Sequence, residues 1–462
     1  MTTLTGFETI RQVGRMLRRH DVSALEAARS SLERLRTLGP RLNALAELMP
    51  EVAERDARRA DRRLSRGDSG KLVGIPYGAK DIIATAGTPT RWGAPPFRHQ
   101  VFDFDASLVR RLRDAGAVLA AKLSTVELAG AGLYGTPNAS IDGPGRNPWD
   151  LGHWSGGSSS GPGAAVASGL VPFALGSETR GSIMIPAAFC GVTAIRPSYG
   201  TVTQHGVFPV SWSFDKIGPF ARSAADCAIV LQAIAGYDES DPRTIDWELH
   251  LPRRRRLRLG LLPIDFDGEP EIQRAFEEAL RTLRRLGHRP KQVRLPDRDY
   301  LALSQRIGQG ETVGHHEDFI RSARLEELVD TAQKERLRSY LAQPVSSYPR
   351  AAEERLAAIR EIRRLFREVD VLVAPTWVME APAIDADLRS LRRLYGGPAV
   401  LGALAGLPAV SVPMGFGRTG MPLGLCITAD ALADGLALRL AMDFQSATDW
   451  HERRPPLDRI IA

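Results

Sequence analysis

Residues 135–200 combine a high density of Gly, Ser and Pro with two apolar segments, at residues 164–167 and 170–175. A flexible Gly/Ser-rich linker lacks apolar segments of this kind, because it has no core in which to bury them. The pattern therefore predicts a tightly folded region whose backbone turns closely around an active site. It argues against a low-complexity linker between two domains.

The chain on both sides of this region alternates between helical and strand-like patterns. Apolar residues recur every three or four positions in the helical segments, and short apolar runs bounded by Gly or Pro indicate buried strands. Such alternation is typical of an α/β fold. Predicted helices cover residues 22–38, 52–64, 107–114, 269–286, 303–348 and 350–368, and predicted strands cover residues 72–79, 117–121, 257–262, 371–374 and 408–413.

The same patterns predict how the chain is divided. Residues 1–66 are expected to form an N-terminal helical segment packed on the core. No later break is rich enough in Pro or Ser to separate domains, so residues 67–462 are predicted to form one compact α/β unit. The helix at residues 350–368 is amphipathic, and its inward-facing side chains are predicted to be Leu356, Ile359, Ile362, Leu365 and Phe366.

The composition excludes several classes of protein. Hydrophobic residues make up 43% of the chain and charged residues 25%, as in an ordinary globular protein. No apolar run approaches the ~20 residues that cross a bilayer, and Met1 to His20 lacks the apolar stretch of a signal peptide. The three cysteines are scattered and form no C-x-x-C zinc motif. We therefore expect a cytoplasmic protein with no membrane partner and no bound metal.

The formal net charge of +7 indicates nucleic-acid binding only weakly, because basic and acidic residues are interleaved. The densest basic run, Arg253 to Arg256, has no aromatic neighbours of the kind that single-strand binding uses, and is interpreted as a solvated linker. His315 and His316 suggest a metal site at first sight. Adjacent residues on a helix point about 100° apart, however, so this pair is predicted to lie on a helix surface.

Gly157 to Gly161 matches the G-x-S-x-G pattern of a nucleophile elbow, with Ser159 as the nucleophile. An elbow requires a strand directly before the turn, and residues 147–154 are not predicted as one. The same glycines could cradle a phosphate, but the Gly-Lys-Ser/Thr ending of a P-loop is missing. Neither interpretation is favoured.

Three motifs, in a fixed order along the chain, fit together as one site. Lys80 follows a predicted buried strand, Ser158 lies in the Gly-rich run, and Ser182 follows 24 residues later. Only six of the 61 basic residues are lysine. A lysine at position 80 therefore suggests a role that arginine cannot perform. The set resembles the amidase signature family, whose hydrolases use a Ser–Ser–Lys triad. Further stretches that resemble this family lie at residues 186–192, 196–200, 215–219, 374–376 and 406–409, so the resemblance covers nearly the whole chain.

The resemblance implies an amidase-signature fold, with a large mixed central sheet flanked by helices on both faces. It implies that Ser182 is the nucleophile, that Ser158 relays a proton from a cis peptide bond after Gly157, and that Lys80 is the base. A buried lysine can become neutral and accept a proton, whereas a guanidinium stays charged. No cofactor or metal is required. The oxyanion is expected to bind the backbone N–H groups of Thr179, Arg180, Gly181 and Ser182.

The loop before Ser182 departs from the family's usual Gly-Ser-Asp-Thr-Gly-Gly-Ser-Ile-Arg pattern at Glu178, Arg180 and Met184. Family members commonly pair the acid with the arginine, which braces the loop. Because Met184 cannot form that pair, the sequence leaves open which residues supply the counter-charge and hydrogen bonds to the carboxylate of Glu178. Arg180 either takes over the brace by pairing with Glu178, which is the favoured alternative, or points into the pocket to bind a polar or anionic part of the substrate.

The function implied by the resemblance is hydrolysis of an amide C–N bond, which releases ammonia or an amine and a carboxylic acid. The partner would then be a small amide, an aryl amide or a carbamate, and a homodimer is possible. The alternative is the glutaminase (A) subunit of a tRNA-dependent amidotransferase, which alone among these hypotheses involves nucleic acid. A catalytically inactive scaffold is disfavoured, because Lys80, Ser158 and Ser182 are all present.

The substrate pocket is expected to be built partly from residues 203–214 and 300–400. Three aromatic side chains in the first range either line this pocket or belong to the hydrophobic core, and the core is favoured. They are Phe208, Trp212 and Phe214.

Overall fold

The computed structural model describes residues 4–266, 268–390 and 397–461. Within this part of the chain, eleven strands form one mixed sheet, and two short strands, β4 and β5, form a separate hairpin. The strands are β1 (Leu45–Leu48), β2 (Pro76–Lys80), β3 (Val118–Leu123), β4 (Arg146–Asn147), β5 (Asp150–Trp154), β6 (Phe173–Glu178), β7 (Thr193–Arg196), β8 (Lys216–Ala221), β9 (Arg258–Leu261), β10 (Arg289–Gln292), β11 (Val371–Pro375), β12 (Ala409–Phe416) and β13 (Pro422–Ala429).

The order across the large sheet is β1-β3-β2-β6-β8-β7-β12-β13-β11-β9-β10. Strands β3, β2 and β6 are parallel to one another, as are β11, β9 and β10, and the other neighbouring pairs are antiparallel. Every residue of β2, β3, β6, β7, β8 and β11 is buried. A strand buried along its whole length is covered on both faces, so the predicted α/β fold with a large mixed sheet between helices is confirmed.

The helices follow the capping and periodicity signals of the sequence. Helix α2, for example, begins after Ser23, whose side chain accepts a hydrogen bond from the amide of Glu26 in a reciprocal capping box. The helices are α1 (Ile10–Arg18), α2 (Ala24–Leu38), α3 (Pro50–Leu64), α4 (Ser107–Asp114), α5 (Ser160–Ala167), α6 (Met184–Cys190), α7 (Ala224–Ile234), α8 (Pro270–Arg285), α9 (Tyr300–Arg321), α10 (Thr331–Tyr340), α11 (Ser347–Glu368), α12 (Pro398–Ala405), α13 (Asp434–Ser446) and α14 (Asp458–Ile461).

The N-terminal segment is not purely helical, because β1 lies between α2 and α3 and extends the large sheet beside β3. Apolar side chains of α1, α2 and α3 belong to the same buried cluster as those of β2 and β3. The boundary between residues 66 and 67 remains a prediction.

Several local predictions need correction. Leu356, predicted to face inward on α11, is 50% exposed, whereas Ala351 and Ala358 take buried positions on that helix. Small alanines let α11 approach its neighbours closely, and a pattern search for large apolar residues overlooks them. Strands β1, β4, β5, β6, β7, β8, β10 and β13 were not predicted. Residues 253–256 are exposed and carry no regular structure, as expected for a solvated segment. Within the described residues, no helix is both long and apolar enough to cross a bilayer.

Candidate active site

The candidate site lies where two parallel strands end side by side. Strands β2 and β6 pair in register from Tyr77 opposite Phe173 to Ala79 opposite Leu175. The carboxyl ends of both strands therefore lie at one edge of the sheet, which is where α/β proteins usually bind ligands. The edge carries Lys80 at the end of β2, and Ser177 with Glu178 at the end of β6.

Lys80 is fully buried, and its hydrogen-bond partners among the described residues are two serine hydroxyls. Its Nζ lies 2.8 Å from the Oγ of Ser158 and 2.9 Å from the Oγ of Ser177. Burial lowers the pKa of Lys80 to about 7, although the more distant carboxylates of Asp215 and Glu178 act in the opposite direction. Burial therefore favours the unprotonated form of this amine, which is the form that can accept a proton.

Ser158 is held by its backbone as well as by Lys80. The peptide bond between Gly157 and Ser158 is cis, as the family resemblance implied. The carbonyl oxygen of Ser158 accepts hydrogen bonds from the amide of Val126 at 3.1 Å and from the hydroxyl of Thr125 at 3.0 Å. A Cβ on Gly157 would lie 2.7 Å from the ring of Trp154, so this position accommodates only glycine without rearrangement.

The loop that carries Ser182 curls around the carboxylate of Glu178. One oxygen of Glu178 accepts the amides of Ile183 and Met184, at 2.9 and 3.0 Å, and the other accepts Nη1 of Arg196 at 2.7 Å. Burial alone would raise the pKa of Glu178, but Arg196 and the two amides hold it below its usual value. Arg196, on β7, therefore supplies the counter-charge to Glu178 that Met184 cannot supply.

The favoured prediction that Arg180 pairs with Glu178 is thus wrong. Arg196 is fully buried and directed at Glu178, and its guanidinium fills the space beside Gly402. The Nη1 of Arg180 lies 3.4 Å from the Oγ of Ser304, on α9.

A second carboxylate fixes the start of the same loop. The hydroxyl of Thr179 donates to Oδ1 of Asp215 at 2.6 Å, and Oδ2 of Asp215 accepts the amides of Val210 and Ser211 at 2.7 and 2.9 Å. Burial raises the pKa of Asp215 to about 6 in spite of these hydrogen bonds. Because β8 pairs with β6 so that Lys216 lies opposite Glu178, Asp215 is delivered directly beside Thr179.

The backbone between these two anchors is available to a ligand. The amides of Thr179, Gly181 and Ser182 donate no hydrogen bond to another described residue, and the side chains of Thr179 and Ser182 are partly exposed. Gly181 has φ = +98°, a conformation that residues with a Cβ rarely adopt. Unengaged amides in a left-handed turn form the arrangement that binds an oxyanion.

These groups face a cavity with a volume of about 660 Å³, which includes the solvent-filled entrance. One wall comes from residues 129–134, where Ala129 and Leu133 adopt positive φ angles of 52° and 58°. Val210 and two residues of α9, Leu301 and Gln305, also line the cavity. Both predicted pocket ranges therefore contribute, although residues 391–396 of the second lie outside the described residues. The lining residues that the structure describes are Ala129, Gly130, Leu133, Tyr134, Gly157, Thr179, Arg180, Ser182, Val210, Leu301 and Gln305.

Other sequence candidates fall outside this cavity. Phe208 and Phe214 are buried in the hydrophobic core, as favoured, and Trp212 is partly exposed with its ring against His315. His316 lies on α9 with Nε2 2.6 Å from the carbonyl oxygen of Pro209. Within the described residues, no three side chains that could bind a metal ion lie together.

Ser159 has a structural position rather than that of an elbow nucleophile. Its hydroxyl donates to the carbonyl oxygen of Ser177 at 3.2 Å and lies 3.3 Å from the amide of the same residue, so it fastens the Gly-rich loop to β6. The prediction that no strand precedes this loop was wrong, because β5 does. That strand pairs with β4 in the separate hairpin, however, and the loop between it and α5 contains the cis bond.

Three residues of the site were not assigned a role from the sequence. Ser177, Arg196 and Asp215 contact Lys80, Glu178 and Thr179 respectively. Arg196 and Asp215 lie in stretches that resemble the family. The sequence around them therefore indicated that they matter, but it did not reveal which residues they contact.

Comparison with known proteins agrees with this geometry. A family model for amidases matches residues 26–438. The chain belongs to the amidase family. The A subunit of a glutamyl-tRNA(Gln) amidotransferase from Methylococcus capsulatus is 35% identical to this amidase, over 97% of the chain and 98% of the relative.

Solved structures resemble the amidase along nearly its whole length. One comes from work on a vestigial protein complex and the evolutionary origins of an s-triazine catabolic enzyme, with 30% identity, a TM-score of 0.86, and coverage of 95% of this chain and 98% of the other. Another is the peptide amidase of Stenotrophomonas maltophilia, with 31% identity, a TM-score of 0.84, and coverage of 97% and 98%.

Proposed function

We propose that this amidase hydrolyses the C–N bond of a small amide through an acyl-enzyme on Ser182. The observation that carries the proposal is the buried Lys80 amine within hydrogen-bonding distance of Ser158, at the same sheet edge as the Ser182 loop. A serine hydroxyl is a weak nucleophile until a base removes its proton, and a desolvated lysine with a pKa of about 7 is such a base.

In the proposed first step, Oγ of Ser182 attacks the amide carbonyl carbon. Its proton passes to Oγ of Ser158, whose own proton passes to Nζ of Lys80. The tetrahedral oxyanion is stabilised by the amides of residues 179–182. The C–N bond then breaks, and the leaving nitrogen takes the proton back from Lys80 through Ser158.

In the second step, water attacks the ester carbon of the acyl-enzyme. The water's proton follows the same path to Lys80, and the returning proton restores the Ser182 hydroxyl as the carboxylic acid leaves. Each proton accepted by Lys80 is released within the same half-reaction, so the enzyme ends unchanged. Carbamates and aryl amides present the same carbonyl to Ser182 and belong to the same proposal.

A second candidate is the glutaminase subunit of a tRNA-dependent amidotransferase, and the relative from Methylococcus capsulatus favours it. Both candidates use the same acyl-enzyme chemistry. They differ in whether the chain alone turns over substrate, and in whether glutamine is preferred.

The test is ammonia or amine release by the purified chain alone, over glutamine, short aliphatic amides, aryl amides and carbamates. We expect turnover of at least one substrate without any partner, and Ser182→Ala should retain less than about a thousandth of it. Ser159→Ala is the matched control in the neighbouring loop, and its loss should be far smaller. The second candidate would be supported if glutamine were the one substrate turned over and if its turnover required an added partner protein.

A further inference from the structure

Arg180 is the charged member of the cavity wall. Of the described residues that line the cavity, it alone carries a formal charge, and none is acidic. Its backbone lies within the proposed oxyanion loop, whereas its side chain crosses towards α9. Since Arg196 already neutralises Glu178, the Arg180 guanidinium is not required for the loop brace.

Helix α9 presents polar atoms to this guanidinium. Ser304 is buried, and its hydroxyl donates to the carbonyl oxygen of Leu301 at 2.8 Å, so its oxygen is left to accept from Arg180. That acceptance spans 3.4 Å, which is long for a hydrogen bond. Gln305 lines the same cavity and adds a neutral amide with two further donors.

A carboxylate is the group that this arrangement fits best. An N⁺–H···O⁻ hydrogen bond closes to about 2.7–2.9 Å and is roughly twice as strong as one between neutral groups. A substrate carboxylate can therefore bind the guanidinium more tightly than the hydroxyl of Ser304 does. The remaining walls, including Leu133, Val210 and Leu301, are apolar, and attraction between opposite charges strengthens as water is excluded.

We infer that Arg180, assisted by Gln305, binds a carboxylate of the substrate, so that the preferred substrate is an amide with an anionic group a few bonds from the scissile carbonyl. The inference rests on the proposed function, because it requires the carbonyl to lie at Ser182. Arg180 is only two residues from Ser182, and both line the same cavity, so the anionic group and the reacting carbonyl lie close together in the substrate. Half-amides of short dicarboxylic acids have this chemistry.

The test compares succinamate with butyramide, which has a methyl group where succinamate has its carboxylate. The wild type should have the higher kcat/KM for succinamate. In Arg180→Gln the ratio of the two kcat/KM values should fall by roughly ten- to a hundredfold, as expected for loss of a hydrogen bond to a charged group, and the change should be in KM. Arg180→Lys should recover part of the ratio.

The matched control is Arg306→Gln, also on α9, whose partner is Glu354. It should leave the ratio unchanged. An unchanged ratio in Arg180→Gln, or a wild type that prefers butyramide, would overturn the inference and leave the proposed function intact. A lower melting temperature with an equal loss for both substrates would show that Arg180 supports the loop instead.

Binding separates the two proposals. Ser182→Ala should bind succinamate in a calorimetric titration, and the double variant with Arg180→Gln should bind it roughly ten- to a hundredfold more weakly. Binding that depends on Arg180, without any hydrolysis by the wild type, would contradict the proposed function while supporting the anion site. No difference between the two variants would contradict the anion site.

Discussion

Two lysines are fully buried on neighbouring strands of the sheet, and they have different surroundings. Lys80 ends β2 and contacts two serine hydroxyls. Lys122 lies on β3, where its Nζ donates to the carbonyl oxygen of Ile83 at 2.7 Å and to the hydroxyl of Thr90 at 2.6 Å, and lies 3.5 Å from the carboxylate of Asp81. Because Ala79 pairs with Lys122, the two lysines project from opposite faces of the sheet.

Burial lowers the pKa of both amines, to about 7 for Lys80 and about 8 for Lys122. The two lysines differ in their hydrogen-bond partners. A carboxylate and a carbonyl only accept hydrogen bonds, so Lys122 satisfies them best as an ammonium ion. A hydroxyl can donate as well as accept, so Lys80 keeps its hydrogen bonds after it loses a proton. At equal burial, the partners of Lys122 therefore favour its charged form, whereas those of Lys80 leave it free to lose or gain a proton.

The largest expected effect comes from replacing the two lysines by methionine. Lys80→Met should lower kcat by about 10²–10⁴-fold, the usual contribution of general acid–base catalysis, while the protein stays folded. Lys122→Met should keep most of its kcat but lose about 3 kcal/mol of unfolding free energy, because Asp81 is left without one of its buried counter-charges. Kinetics and denaturant unfolding of both variants provide the measurement.

The difference proposed between Lys80 and Lys122 is contradicted if the two substitutions exchange their effects on kcat and on stability. A Lys80→Met protein that unfolds at much lower denaturant but turns over normally would make Lys80 a structural cation. A Lys122→Met protein of normal stability and abolished kcat would place the base on the other face.

A smaller effect separates the two hydroxyls that contact Lys80. Ser158→Ala removes the proposed proton relay and should lower kcat by about a hundredfold or more. Ser177→Ala removes one neutral hydrogen bond that positions the amine, which corresponds to roughly a two- to tenfold loss. Measuring kcat of both variants on one amide tests whether the loss is larger in Ser158→Ala than in Ser177→Ala. Equal losses would mean that Ser158 only positions the amine.

Local patterns in the sequence predicted the fold class and part of its helices and strands. Helix α4 and strands β2 and β3 depend on apolar runs and Gly/Pro boundaries that act within a few residues, so they were found near their true positions. The motifs around Lys80, Ser158 and Ser182, together with the family resemblance, suggested a common site, and the structure brings Lys80 and Ser158 into contact.

What the sequence did not predict depends on contacts between distant segments. The pairing of Glu178 with Arg196 requires β7 to return beside the Ser182 loop, and no local pattern encodes that return. In the cavity wall, Ala129 and Leu133 adopt positive φ angles although neither is a glycine, so the shape of the wall is imposed partly by the surrounding packing. For the same reason Arg180 was assigned to the wrong partner.

The most direct test of the account is the rate at which a fluorophosphonate labels the protein as a function of pH. An activated serine oxygen attacks the phosphorus of this probe, forms a P–O bond and displaces fluoride into solution. The assay therefore requires no knowledge of the substrate. We predict labelling of Ser182, with a rate that rises with pH through about 7 as Lys80 loses its proton, and slow labelling without this rise in Lys80→Met. Labelling of another serine, or an unchanged rate and pH profile in Lys80→Met, would contradict the claim that Lys80 activates Ser182.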